Sequence, residues 1–228
     1  MRSLLRRWWP GSGSAGASAA QGALRAWADA KGWRFAAARG GDGFVIDAAE
    51  LRFEWGPPQR DYIEGAELRV RADLGADADL QMLLGARALL KSLEDAVFAQ
   101  ATEDNRTRVD DRTPEEMRWL VLYPKVGRTV LGALADQFAA VASRRGAMQE
   151  WLDEPLRRAL GDMPRDAAQV LIVQRGRFVL RRSLRAPTPE AFDAALLLAR
   201  AAATSARRVV AEAARGRFDT AIPGQAAD

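Results

Sequence analysis

The sequence predicts an α+β protein in which an antiparallel sheet of about six strands is covered by helices on one face. Hydrophobic and charged residues alternate at positions 51–55 and 67–74, which is typical of strands with one buried face. Residues 79–100 and 188–214 instead repeat hydrophobic residues at three- and four-residue spacings, as helices do. Strands and helices come in separate runs, and this favours an antiparallel sheet over a parallel one.

The N-terminal part begins with a tail and a linker. Residues 1–18 contain a basic, aromatic start and most of the run GSGSAGASAA at 11–20, a composition that predicts a flexible segment. A short helix follows and ends at Gly32. Four strands then form a meander, with a Gly-rich turn at 39–43 and a longer turn at Pro57 and Pro58.

The middle of the chain predicts helices. The segment 79–100 is expected to be a single long helix, and a polar loop separates it from a helical insert at 113–160. Thr113, Pro114 and Glu116 match an N-cap, a first helical position and a capping box. The buried stripe predicted for the first helix consists of Leu83, Ala86, Leu90, Leu93 and Val97.

The C-terminal part predicts a hairpin and a long helix. The hairpin turns at Arg175 and Gly176, between two hydrophobic runs. The helix starts with Thr188 as its N-cap, because Pro189 suits the first helical turn. Its predicted buried stripe consists of Phe192, Leu196, Ala199, Ala203 and Val210.

These elements predict one folded domain at 19–214, followed by a loose tail at 215–228. Within the domain, 33–100 and 168–214 each read as strands followed by a helix. They are either two similar halves or a coincidence of alanine-rich composition.

The C-terminal hairpin VLIVQRGRFVLRRSL and the following APTPEAFDAALLLARAAA resemble the closing hairpin and helix of the type III secretion chaperone-like fold, which includes YbjN-like proteins. The resemblance covers residues 160–214 and rests on pattern rather than on a signature motif. It implies a dimerising, partner-binding protein without catalytic residues. This chain departs from that fold in its extra central helices and in its basic charge, since such chaperones are usually acidic.

The composition excludes several chemistries. The chain has no cysteine and no histidine, so disulfides, thiolate metal sites and imidazole catalysis are ruled out. The acidic segment 103–116 lacks the ligand ladder of a calcium loop. We therefore expect a non-enzymatic protein with no cofactor and no metal. Arginine and alanine richness is typical of GC-rich bacterial genomes, and the absence of a long apolar run predicts a cytoplasmic location.

The first residues leave two interpretations open. Arg6, Arg7, Trp8 and Trp9 fit a short interfacial anchor, with indoles at the lipid headgroups and guanidinium groups near anionic lipid. The other interpretation is a frayed tail, because so short a segment does not hold a helix alone. The first interpretation makes the protein peripheral to a membrane.

A polar loop between two strands is the first candidate site. Trp55, Arg60 and Tyr62 could contact a ligand there, and Asp61 and Glu64 could serve as paired carboxylates for acid–base catalysis. The favoured interpretation is structural, since polar residues on a hairpin turn are normally solvated.

The outer face of the sheet is the second candidate site. Alternation places seven arginines and four carboxylates there, and this excess of positive charge could receive an acidic protein or an anionic membrane. Nucleic acid is disfavoured, because the face carries no aromatic residues for base stacking. The alternative is a solvated face of cross-strand ion pairs. The predicted outward residues are Arg34, Asp47, Arg52, Glu54, Glu67, Arg69, Arg71, Asp73, Arg177, Arg181 and Arg185, of which Arg52, Arg69, Arg71, Arg177, Arg181 and Arg185 are the candidate binding residues.

The sequence thus predicts a non-catalytic protein-binding module of the chaperone or adaptor kind, with homodimer formation as one expected form. The alternative is a peripheral membrane protein held by its N-terminal segment.

Overall fold

The computed structural model describes residues 14–38, 43–103, 113–164 and 168–219. Within these ranges the chain forms seven α-helices, one 3-10 helix and eight strands. The helices are α1 (Ser14–Ala30), α2 (Arg87–Glu103), α3 (Glu115–Leu122), α4 (Arg128–Leu131), α5 (Ala147–Trp151), α6 (Glu154–Gly161) and α7 (Pro189–Ala214), with the 3-10 helix at Gly132–Asp136. The strands are β1 (Arg34–Ala37), β2 (Phe44–Ala48), β3 (Leu51–Gly56), β4 (Glu67–Asp73), β5 (Met82–Ala86), β6 (Phe138–Ala142), β7 (Gln169–Gln174) and β8 (Arg177–Ser183).

The eight strands form one sheet in the order β1-β2-β3-β4-β8-β7-β5-β6, and every neighbouring pair is antiparallel. The predicted α+β class and antiparallel sheet are confirmed. The meander β1–β4 meets the C-terminal strands at the β4–β8 pair, so this one ladder joins the two parts of the sheet.

The predicted strand number is too low because two strands lie inside segments predicted as helices. Strand β5 occupies the start of the predicted helix 79–100, and β6 lies within the insert 113–160. Both strands are buried along nearly their whole length, so their sequences MLLGA and FAAVA show no polar alternation. A short, continuously apolar run does not distinguish a fully buried strand from part of a helix.

The larger hydrophobic core lies on the sheet face covered by α1 and by α4 to α7. Phe192 of α7 packs against Phe44 and Phe53, with both pairs of ring centroids 5.7 Å apart. Trp151 of α5 is fully buried, and its indole N–H donates to the carbonyl of Ala202 in α7. The predicted buried stripe of α7 is confirmed.

Helices also cover part of the opposite face, so the prediction of helices on one face only is wrong. The helices α2 and α3 pack against β5, β6 and β7 in a second, smaller core. The reason is that the second face of these strands is also apolar and must be shielded. This core contains Leu83, Leu90, Leu93, Trp119, Leu120, Val141, Val170 and Ile172.

The predicted N-cap is confirmed for α7 but not for α3. Thr188 caps α7, since its hydroxyl oxygen accepts from the Ala191 N–H at 3.2 Å. The capping box at α3 is wrong: Pro114 occupies the cap position without a side-chain cap bond, and Glu116 points to the β3–β4 loop instead.

Two described features lie just outside the predicted domain bounds of 19–214. Helix α1 begins at Ser14, ahead of the expected boundary at residue 19. Beyond the predicted end at residue 214, Phe218 is buried in the larger core, and the carbonyl of Asp219 accepts from the Arg145 N–H at 2.9 Å. The Gly-rich turn falls on residues 39–42, which lie outside the described residues, although β1 and β2 pair on either side of it. No helix in the described ranges is long and apolar enough to cross a bilayer.

The β7–β8 turn gives a test of the fold. Gly176 has φ +65°, and a Cβ there would lie 2.4 Å from the Ala76 carbonyl oxygen. We expect Gly176→Ala to lower the free energy of unfolding by more than about 1 kcal/mol in urea titrations. Gly22→Ala is the matched control, since that helical position has open space for a Cβ and alanine favours the helix. Equal effects of the two substitutions would contradict the assigned turn.

Candidate functional site

Charged side chains of β2, β3, β4 and β8 occupy the second sheet face beyond the strands that α2 and α3 cover. Their cross-strand register places them side by side, as strand alternation requires. We call this surface the arginine face; it consists of Asp47, Arg52, Glu54, Glu67, Arg69, Arg71, Asp73, Arg177, Val179 and Arg181.

A buried carboxylate organises the arginine face. Glu67 has no solvent exposure and accepts from Arg69 Nη1 at 3.0 Å and from Arg181 Nη1 at 2.5 Å. The backbone N–H of Gln59 donates to the same carboxylate at 2.6 Å. A buried ion is tolerated only with such a complete set of partners. Glu67 therefore belongs to the interior, although alternation predicted it as an outward residue.

Two of the candidate binding arginines are consequently enclosed. The side chains of Arg69 and Arg181 are only 9% and 7% exposed, because both are drawn to Glu67. The prediction that these two guanidinium groups point to solvent is wrong. Alternation identified their face of the sheet correctly but could not show that Glu67 neutralises them there.

A second carboxylate, Glu54, is shared by three arginines. It accepts from Arg52 Nε at 3.0 Å and from Arg69 Nε at 3.1 Å, and Arg71 Nη2 lies 3.4 Å away. Burial raises the pKa of Glu54, but the hydrogen bond from Arg52 and the charge of Arg71 outweigh it and hold the pKa below its usual value. The single negative charge of Glu54 thus partly neutralises three arginines.

Arg71 and Arg177 carry positive charge that the face compensates only in part. Burial lowers the pKa of Arg71, and the like charges of Arg69, Arg181 and Arg52 lower it further, although Glu54 opposes them. The side chain of Arg177 makes no ion pair or hydrogen bond with any described residue. Arg71 and Arg177 are therefore the positions where an incoming anion would relieve repulsion.

The last candidate, Arg185, lies outside the arginine face. Strand β8 ends at Ser183, and the next N–H, that of Leu184, donates to the carbonyl of Ala66. Arg185 therefore follows the end of the strand and lies beside Gly65. Its predicted place on the sheet face is wrong because the alternating pattern was extended past the strand end. Arg34 extends the face to β1, where it pairs with Asp47 at 3.1 Å.

The β3–β4 loop is fastened to α3. Glu116 is 5% exposed and accepts from Arg60 Nε at 2.5 Å and from the Tyr62 hydroxyl at 2.8 Å. Burial raises the pKa of Tyr62, and the neighbouring carboxylate of Glu116 raises it further. These two candidate ligand contacts are thus already engaged within the protein.

Trp55 is separated from the other two loop candidates by the sheet itself. Its ring stacks on Phe44 in the larger core, with centroids 5.4 Å apart, and its N–H donates to the Leu184 carbonyl at 2.8 Å. The structure therefore does not bring Trp55, Arg60 and Tyr62 together in one site.

The possible catalytic carboxylates are both in solvent. Asp61 and Glu64 are exposed on the loop and share no enclosed pocket. Among the residues that the structure describes, no group of three or more acidic side chains is placed to hold a metal ion. The candidate membrane anchor, Arg6, Arg7, Trp8 and Trp9, lies outside the described residues.

Three adjoining clefts run beside the arginine face, with volumes of about 350, 470 and 220 Å³. The first two share Arg177 and Val179, and the last two share Gln174 and Arg175. The 470 Å³ cleft is called the central cleft; its walls include Arg60, Glu116, Ile172, Arg177, Val179 and Arg181.

The sequence alone does not reveal that Glu67 and Glu116 are the buried carboxylates that neutralise the nearby arginines. The sequence pattern predicts Glu116 as part of a helix cap, whereas it binds a loop that precedes it by more than fifty positions in the sequence. Glu67 was counted as an exposed acid. A signal for Glu67 existed, because it begins a strand whose paired neighbours on β8 are arginine-rich, but that pairing is visible only in the fold.

Comparisons with known proteins give one partial likeness. No family model matches the chain, and no curated protein matches it. Among solved structures, the crystal structure of the mycobacterial trehalose monomycolate transport factor A, TtfA, shares 8% identity, with a TM-score of 0.47. The match covers 84% of this chain and 96% of that chain. A likeness this slight carries no functional argument.

The loop attachment predicts a pH dependence of stability. Burial raises the pKa of Glu116, but Arg60 and Tyr62 outweigh it, and the pKa lies below its usual value of 4.5. The stabilising contribution of Glu116 is therefore present above pH 4.5 and is lost as the pH falls through the lowered pKa. We expect Glu116→Gln to lower the free energy of unfolding by about 1–3 kcal/mol at pH 7 and to approach the wild type at low pH.

Urea titrations from pH 7 to pH 3 measure this difference. Glu64→Gln removes an exposed carboxylate from the same loop and should follow the wild type at every pH. A constant gap between Glu116→Gln and the wild type across that range would contradict the assigned ion pair.

Proposed function

We propose that this protein is a non-catalytic binding module that receives an acidic segment of a protein partner on its arginine face. The observation that carries the proposal is that the guanidinium group of Arg177 has no ion pair with a described residue. Arg71, which lies beside it, shares the single carboxylate of Glu54 with two other arginines. An acidic segment would supply the counter-charges that the face lacks.

The chemistry of the face favours protein over nucleic acid. Its outward residues include no aromatic ring on which a base could stack, and the nearby Tyr62 is held by Glu116. Carboxylates of Asp47 and Asp73 stand among the arginines. A continuous chain of phosphates would be repelled by these acids, whereas a protein segment can place its acidic groups selectively.

The same proposal includes a chaperone- or adaptor-like role in the cytoplasm and the formation of a homodimer. Exposed hydrophobic side chains on three helices, Phe98, Leu122 and Leu197, are compatible with further protein contacts. The resemblance to the type III secretion chaperone-like fold stays a prediction. The alternative is attachment to an anionic membrane through the N-terminal arginine and tryptophan residues.

Binding of fluorescent poly-L-glutamate to the full chain, measured by anisotropy, tests the proposal. We expect the double substitution Arg71→Gln and Arg177→Gln to weaken binding about tenfold or more, because Arg177 has no ion pair with a described residue and Arg71 shares Glu54 with two other arginines. Binding of the wild type should weaken as salt is raised. The matched control is Arg158→Gln with Arg128→Gln, which removes two exposed arginines on α4 and α6.

Equal weakening by the two double variants would overturn the proposal, since binding would then follow net charge alone. Single-stranded RNA and phosphatidylserine vesicles serve as competing probes. Tighter, Arg177-dependent binding of the RNA would also overturn it. Flotation with the vesicles that requires Trp8 and Trp9, together with no poly-L-glutamate binding, would support the membrane alternative.

A further inference from the structure

The central cleft combines an apolar floor with cationic ends. Ile172 of β7 and Val179 of β8 pair directly across the two strands, and both line the cleft. Arg177 lies at one end of this floor, and Arg181 lies at the other, near Arg60. Four arginines and two carboxylates line the cleft, so its net charge is positive.

Strand geometry sets the spacing of these groups. Arg177, Val179 and Arg181 occupy alternate positions of β8 and therefore lie on one face. At about 3.3 Å per residue, the two arginines are roughly 13 Å apart along the strand, with Val179 midway between them. An extended peptide repeats its side chains at the same interval.

The hydrogen bonding of Arg177 and Arg181 shows which of their N–H groups lack an acceptor. Arg181 is buried, and its Nη1 donates to Glu67, but its Nε lacks an acceptor. Arg177 makes no ion pair or hydrogen bond with a described residue, although Asp73 lies opposite it in the β4–β8 register. A buried N–H without an acceptor is destabilising, so a ligand that brings an oxygen into the cleft would satisfy it.

Building on the proposed function, we infer that the central cleft recognises an extended acidic segment of the pattern acid–x–apolar–x–acid. One carboxylate lies at Arg177, and the other lies beside Arg181, whose Nε is the donor that Glu67 leaves without an acceptor. The apolar side chain between them rests on Val179 and Ile172. The arginine face thus selects for spacing and hydrophobicity as well as for negative charge.

The two acids of the cleft differ in their expected influence. Glu116 already binds Arg60 and Tyr62, so its charge is compensated. Asp77 is exposed, and no ion pair with a described residue accompanies it. Its charge opposes an acidic ligand. Asp77→Asn is therefore expected to tighten binding, an effect that misfolding would not produce.

Competition of short peptides against labelled poly-L-glutamate tests this inference on the full chain. The matching peptide is acetyl-Glu-Ala-Leu-Ala-Glu-amide, and the control with equal composition is acetyl-Glu-Glu-Ala-Ala-Leu-amide. We expect the matching peptide to compete at about a tenfold lower concentration, because only it places leucine on the apolar floor between two paired charges.

Substitutions assign the selectivity to the cleft. Arg177→Gln should weaken the matching peptide about fivefold or more, and Asp77→Asn should tighten it about twofold to threefold. Val179→Thr should reduce the advantage of the matching peptide over the control peptide. Arg158→Gln on the far helix layer should change none of these values.

The outcomes separate this inference from the proposed function. If poly-L-glutamate binds through Arg71 and Arg177 but the two peptides compete equally or not at all, the spacing inference is wrong and the proposed function stands. If poly-L-glutamate itself does not bind, both fail. A matching peptide that retains its advantage in Val179→Thr and Arg177→Gln would also overturn the inference.

Discussion

The structure depends on a carboxylate placed where no water reaches it. Glu67 lies at the start of β4, and its oxygens are occupied by Arg69 on the same strand and by Arg181 across the β4–β8 ladder. A buried charge of this kind is tolerated only when cations and N–H donors surround it. Because β4–β8 is the ladder that joins the meander to the C-terminal strands, the same contact ties the two parts of the sheet together.

The distribution of free charge on the arginine face follows from that constraint. Arg69 and Arg181 form ion pairs with Glu67, which leave the Nε of Arg181 without an acceptor among the described residues, and Glu54 is shared by three arginines. Most of the charge left for a partner is then carried by Arg71 and Arg177, which line the 350 Å³ cleft, and Arg177 also lines the central cleft. An anionic partner on this surface would complete an existing pattern of ion pairs, and the cross-strand register would fix where its acids must lie.

The sequence predicted the parts of the fold that carry a clear period. Alternation gave β3 and β4, the Arg175-Gly176 turn gave the last hairpin, and Thr188 with Pro189 gave the start of α7. The alternating pattern did not predict β5 and β6, because both strands are buried on both faces and their sequences do not alternate between apolar and polar residues. The second helix layer was missed for the same reason, since recognising it requires knowing that β5 to β7 are apolar on both faces.

The sequence predicts the sheet face on which the candidate arginines lie, but it does not predict which of them form ion pairs within the protein. Alternation assigned Arg52, Arg69, Arg71, Arg177 and Arg181 to one side of the sheet, as the register shows. Which of these arginines can still pair with a partner depends on the carboxylates that the strand order places beside them. Strand order cannot be predicted from local sequence.

The most direct measurement is a double-mutant cycle in urea with Glu67→Gln and Arg181→Gln. We expect each single variant to lose about 3–5 kcal/mol of unfolding free energy and the double variant to lose less than the sum. Losses that add within about 0.5 kcal/mol would contradict a buried ion pair between Glu67 and Arg181.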